Sequence, residues 1–174
     1  LRHGVADDRV VIVPEFVDLD RFARVAEPEP TLRRLLLFSN YVFEGAPYLE
    51  AAREAAAKLG AHLDVVGEKM GTATRHPEEL VGGYDLVLAQ GRSALEAMAA
   101  GASVMIGSSR AFGPLVRTDN MERLRRLNFG IRTQTLPVSA DTIIDQLTDY
   151  DAADAAKVTD WVRANAGVGD AVDA

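Results

Sequence analysis

The sequence contains no cysteine among its 174 residues. That absence removes disulfide frameworks, thiol nucleophiles, iron–sulfur clusters and cysteine-ligated zinc together, and it fits a reducing compartment. Basic charge is also short: 19 Lys and Arg stand against 26 Asp and Glu, a formal charge of −7. Nucleic-acid backbones need an excess of positive charge, so no nucleic-acid partner is expected. A local pocket for one small anion is compatible with this balance. No apolar run reaches the ~18 residues of a membrane span, and nothing at the start has a signal-peptide pattern. A cytoplasmic location is the resulting expectation. The three histidines, His3, His62 and His76, stand in unrelated places, so no metal-ligand cluster, bound metal or resident cofactor is expected. Leu1-Arg2-His3-Gly4 reads as a helix tail cut from something longer.

Three further motifs are missing. No Gly-x-Gly-x-x-Gly follows the first strand, which counts against a nicotinamide or flavin dehydrogenase. Gly67-Glu68-Lys69-Met70-Gly71-Thr72 lacks the Gly-Lys-Ser/Thr of a phosphate loop. No Ser-x-Gly elbow supports a hydrolase. What remains is an ordinary globular composition, 48% apolar and 26% charged, at a length that predicts one domain over residues 1–174.

Short apolar runs alternate with helical periodicity. Strands are predicted at Val10–Val13, Leu35–Phe38, Leu63–Val66, Asp85–Ala89 and Ser103–Ile106, with a weaker piece near Gly130-Ile131-Arg132. Helices are predicted from Pro47 to Gly60 and from Arg92 to Ala100, the latter capped by Gly101. A third follows Thr118 as N-cap, with Met121, Leu124 and Leu127 on one face. A fourth is capped by Ser139, and a last one carries Val158, Trp161, Val162 and Asn165 on one stripe. Residues between Ile106 and Thr118 read as a loop. This alternation predicts an α/β fold: a Rossmann-like parallel sheet with helices on both faces and ligands at the carboxyl ends of its strands.

The sharpest constellation is Gln90-Gly91-Arg92-Ser93-Ala94-Leu95-Glu96-Ala97-Met98-Ala99-Ala100-Gly101. A strand ends, a glycine turns the chain, and a helix starts within two residues. Free N–H groups at such a helix start attract anions. Gly91 permits close backbone approach, and Arg92 adds a fixed cation suited to phosphate. Ser93 either bonds a phosphate oxygen or caps the helix. Glu96, placed in the first turn, can accept bonds from two vicinal hydroxyls, as on a ribose.

Leu-Glu-Ala-Met-Ala-Ala-Gly followed by a β-branched strand closely resembles the C-terminal half of retaining GT-B glycosyltransferases of the glycosyl transferases group 1 type. Arg9 to Phe22 is similar to that family's Ile-Pro-Asn-Gly-Val-Asp-x-x-x-Phe turn and the strand before it. Leu35–Phe38 with Gly45, and Leu63–Gly67, resemble its next two strands and their loops. The ordered likeness spans roughly residues 4–132. It implies a domain binding a nucleoside-diphosphate sugar donor, with an N-terminal acceptor-holding domain of the same protein absent from this chain. Transfer of a hexose to a glycan or other acceptor, as in polysaccharide biosynthesis, would occur between the two. The resemblance places Glu96 on the donor ribose and Gly91, Arg92 and Ser93 near the diphosphate. It assigns no catalytic base.

The sequence also departs from the family. The first Glu of the family signature falls at Leu88, inside an apolar strand. The family's diphosphate-gripping Arg and Lys fall near Asn40 and Glu44, in Ser39-Asn40-Tyr41-Val42-Phe43-Glu44-Gly45, which holds no cation. Two charge-assisted contacts of roughly 1.5–3 kcal/mol each are thereby missing. A bacterial subgroup with a Gly-Arg-Ser/Ala-x-Leu-Glu-Ala-Met-Ala pattern is similar here, and in it a later glycine-rich loop places Arg110 and Gly113 over a phosphate. Two alternatives stand beside donor binding: a non-catalytic relative that has lost it, and another nucleotide-sugar enzyme of the same architecture, such as a 2-epimerase.

Overall fold

The structure is a computed structural model that describes residues 14–169. The expected strand Val10–Val13 and the opening Leu1–Gly4 lie outside the described residues. Strand β1 (Arg34–Phe38) forms where three consecutive leucines demand burial on both faces, and all three are fully buried. Helix α1 (Pro47–Leu59) starts at a proline whose missing N–H is not needed in a first turn. It ends at Gly60, which turns left-handed at φ 66°.

Strand β2 (His62–Val66), strand β3 (Leu86–Ala89), helix α2 (Arg92–Ala99) and strand β4 (Ser103–Gly107) follow. Between β2 and β3 the chain makes only short 3-10 turns, one of them at Pro77–Glu79. The sheet order is β2-β1-β3-β4-β5, and the first four strands pair in parallel.

The sheet has apolar layers on both faces. Leu36, Val87, Val104 and Ile106 face α2 and helix α5 (Ala152–Asn165). Leu35, Leu37, Leu88 and Met105 face α1 and helix α4 (Ala140–Leu147). Strands buried on both sides lose their alternation and read as continuous apolar runs. The segment 17–25 closes one side: Val17 N–H donates to the Ala166 carbonyl at 2.9 Å and Val25 N–H to the Ala100 carbonyl at 3.1 Å. Arg163 donates to the carbonyls of Phe22 and Ala99, both at 3.0 Å, and of Leu19 at 3.4 Å.

Four expectations are corrected. The stretch after Ile106 is not all loop: strand β5 (Phe112–Leu115) runs antiparallel to β4, so the sheet is mostly rather than wholly parallel. Thr118 is not a helix cap. Its N–H donates to Asp154 at 3.1 Å, and Asn120 occupies the N-cap position of helix α3 (Met121–Arg126). Ile131–Thr133 is a 3-10 turn rather than a strand. On α5, Val158 and Val162 are buried and Trp161 packs at the margin, while Asn165 is exposed. Ser139 does cap α4, accepting from the Thr142 amide at 3.1 Å. Among the described residues no helix is long and apolar enough to cross a membrane.

Candidate functional site

The chain runs from β1 outward to β2 and returns past β1 to β3. Consequently α1 and α2 leave the carboxyl ends of β1 and β3 toward opposite faces, and a crevice opens between those ends. A cavity of about 280 Å³ occupies this crevice, bounded by Ser39, Asn40 and Tyr41 on one side and by Gln90, Arg92 and Ser93 on the other. A second cavity of about 400 Å³ adjoins it and shares Ser39, Tyr41 and Gln90.

Gly91 makes the turn from β3 into α2 at φ 59° and ψ −131°, a conformation that side-chain-bearing residues rarely adopt. Its N–H donates to the Phe129 carbonyl at 3.0 Å, and its carbonyl accepts the first helical bonds. No side chain caps this helix, so Ser93 is not its cap. The amides of Arg92 and Ser93 have no partner among the described residues. Arg92 is more than half exposed; its guanidinium lies 3.7 Å from Glu15 and 5.5 Å from the centre of the Phe16 ring.

Glu96 occupies the second turn of α2, not the first. It is half-buried, lines neither cavity, and its carboxylate makes no hydrogen bond or ion pair with the described residues. Burial holds its carboxyl above the ordinary carboxylate range, against the pull of Arg92 and Arg21. Glu15 and Glu78 add to the upward shift. Arg21 is itself paired with Glu78 at 2.8 Å, and that bond holds the Glu78 carboxyl down at about 2. His76 lies beside the same carboxylate, 3.1 Å away. Glu96 is therefore within electrostatic range of Arg92, Arg21, Glu15 and Glu78 and outside the lining of the two cavities.

The remaining expected residues divide. Asn40 borders the first cavity, but its side-chain oxygen accepts the Glu68 amide at 3.3 Å. That bond docks the β2 loop onto the β1 loop. Gly67 makes the docking feasible, because a Cβ there would lie 1.9 Å from the Ser39 carbonyl oxygen. Glu44 is held by Arg53 at 2.5 Å. Arg110 borders the second cavity. Gly113 does not reach the crevice: it is buried in β5, where a Cβ would meet both Ile106 and the Thr133 carbonyl at 2.9 Å. Leu88 is fully buried in β3, so a carboxylate at that position would face the core.

Three features escaped sequence reasoning. Gln90 accepts from Gln134, which in turn accepts from Ser108, both at 2.5 Å, and this relay ties three loops together. Lys69 also borders the second cavity. Tyr48 is 1% exposed, and its buried hydroxyl lies near the Ser39 hydroxyl without a well-formed hydrogen bond to any described residue. Burial pushes its phenol up to about 12, tempered by the neighbouring Ser39 hydroxyl at the crevice floor. Among the described residues no group of three His, Asp or Glu side chains is placed to hold a metal ion. No protein-family model matches this chain, and no curated protein matches it.

Proposed function

We propose that this chain is the donor-binding domain of a retaining GT-B-type glycosyltransferase and that its crevice takes a nucleoside-diphosphate sugar. The observation carrying this reading is Glu96, a half-buried carboxylate with no hydrogen-bond partner among the described residues, one turn beyond the exposed helix start. A carboxylate left in that state suits two adjacent hydroxyl donors, and a ribose supplies them. The amides of Arg92 and Ser93, the Arg92 guanidinium and the open cavity beside them suit the diphosphate. The ordered sequence likeness joins these features to one chemistry. The acceptor would be held by a separate N-terminal domain of the same protein, and transfer would need both halves.

The test is thermal unfolding with UDP, GDP, ADP and dTDP and their sugar conjugates. A ligand at one hundred times its Kd adds about 2.7 kcal/mol of stability. One nucleotide standing clear of the others is expected. Glu96→Ala should weaken that response by about tenfold in Kd, the loss of one charge-assisted contact, with the unliganded fold intact. An unchanged response in this variant removes the ribose role.

A second reading has its own observation. Ser39 to Gly45 after β1 holds no Lys or Arg, and its Asn40 and Glu44 are engaged by Glu68 and Arg53, so the β1 loop offers a phosphate no cation. This favours a non-catalytic relative that keeps the fold for assembly or regulation. No response to any nucleotide at millimolar concentration is its expected result.

A further inference from the structure

The second cavity carries charge of the opposite sign to the protein as a whole. Lys69 and Arg110 border it from the loops after β2 and β4. Neither makes an ion pair with a described residue, whereas Arg53 and Lys58 are each held by two acids. Lys69 stands 5.8 Å over the Phe43 ring. In a chain of net charge −7, long-range attraction for an anion is absent, so a cationic pair must act at close range.

The same opening gathers apolar surface. Tyr41, Phe43 and Ile131 are 68%, 48% and 49% exposed. They are three of the six exposed large hydrophobic residues among those described, and all border this one cavity. Ring faces left open to water beside cations suit a ligand with an apolar ring face and a negative charge. The floor adds polar donors. Because Gln134 donates to the Gln90 oxygen, the Gln90 amide hydrogens are left for the cavity. The opening thus offers a stacking face, hydrogen-bond donors and two cations, and Glu96 is not among the residues that line it.

We propose that this cavity holds an anionic hexose, with its ring against Tyr41 and its charged group between Lys69 and Arg110. A hexuronate carboxylate and a sugar phosphate share this chemistry. The proposal rests on the donor-binding reading only for the glycosyl nature of the ligand. It makes charge on the sugar or on its acceptor a criterion of selection.

The experiment is ligand-observed saturation-transfer NMR with glucose, glucuronate and glucose 6-phosphate as separate probes and inorganic phosphate as an unobserved competitor. Wild type is compared with the Lys69→Ala/Arg110→Ala double variant and with Arg123→Ala. Saturation of the ring protons of glucuronate or glucose 6-phosphate is expected, and whichever binds identifies the source of the charge. Glucose should bind about tenfold more weakly, as should either charged sugar to the double variant, the equivalent of one charge-assisted contact. Inorganic phosphate should compete. Arg123→Ala, which removes an exposed cation of α3 that borders neither cavity, should leave these signals unchanged. Equal binding of glucose, full signal in the double variant, or silence from both charged sugars overturns the proposal. Should the double variant melt early, the single changes Lys69→Gln and Arg110→Gln replace it. Failure of the donor reading is separately visible: charged sugars would still bind while no nucleotide stabilised the protein.

Discussion

Glu96 holds its proton more tightly in the folded protein than in the unfolded chain, because burial opposes its charge. The sign of the linkage follows. Below the ordinary carboxylate range both states are protonated, and the residue has no effect. As pH rises through the interval up to the raised folded value, the unfolded chain releases the proton first and the fold loses stability. Above that interval the penalty is constant. Glu96→Gln should therefore be more stable than wild type at pH 7, with the difference vanishing as the pH falls below the ordinary carboxylate range. Urea unfolding at the two pH values measures this; equal stability at pH 7 would mean that the buried charge carries no penalty. The same substitution removes one acceptor that two hydroxyls would share. Glu96 was legible as a candidate from its place in the Leu-Glu-Ala-Met-Ala-Ala-Gly run, but its isolation from partners depends on how Arg21 and Glu78 find each other across 57 residues.

At the scale of elements, the crevice is set by the junction of β3 and α2. Nothing lies within 4 Å of a Cβ added to Gly91, so space does not forbid a side chain there; the backbone does. Gly91→Ala should cost about 1–3 kcal/mol, read as a lower urea midpoint with an unchanged slope. No loss would mean that the junction relaxes to another conformation. The elements beside it were legible because Leu35-Leu36-Leu37 and Leu86-Val87-Leu88-Ala89 are buried on both faces, and because Pro47 and Gly60 bracket α1. Strand β5 was not. Phe-Gly-Pro-Leu contains two residues that weaken strands, and it forms here because Gly113 fits closely between Ile106 and Thr133. The α3 start was misread because the Thr118 side chain is taken up by Asp154, a partner 36 residues away. Of the second cavity only Arg110 was legible: its walls come from loops after four different strands and from the turn at Ile131, and the fold alone makes them neighbours.

Across the whole molecule, the sheet and its two helix layers are joined to the 17–25 segment chiefly through α5. Arg163 donates three bonds to backbone carbonyls, one of them Ala99 at the negative end of the α2 dipole. Arg24 pairs with Asp160 on the same helix at 2.8 Å. Arg163→Met keeps the apolar stem and removes the donors. It should lower stability by roughly 1.5–3 kcal/mol, the worth of bonds to a charged donor. Hydrogen exchange should show Val17, Phe22 and Val25 amides released while Leu36 and Val87 stay protected. Equal loss in the sheet would mean that the segment and the sheet unfold as one unit. The arrangement also orders events on the ribosome. Phe22 leaves the exit tunnel 141 residues ahead of Arg163, an interval on the order of ten seconds at ordinary elongation rates. The 17–25 segment must therefore wait for α5 before it can dock, and through that wait Phe22 stays open to chaperones and proteases.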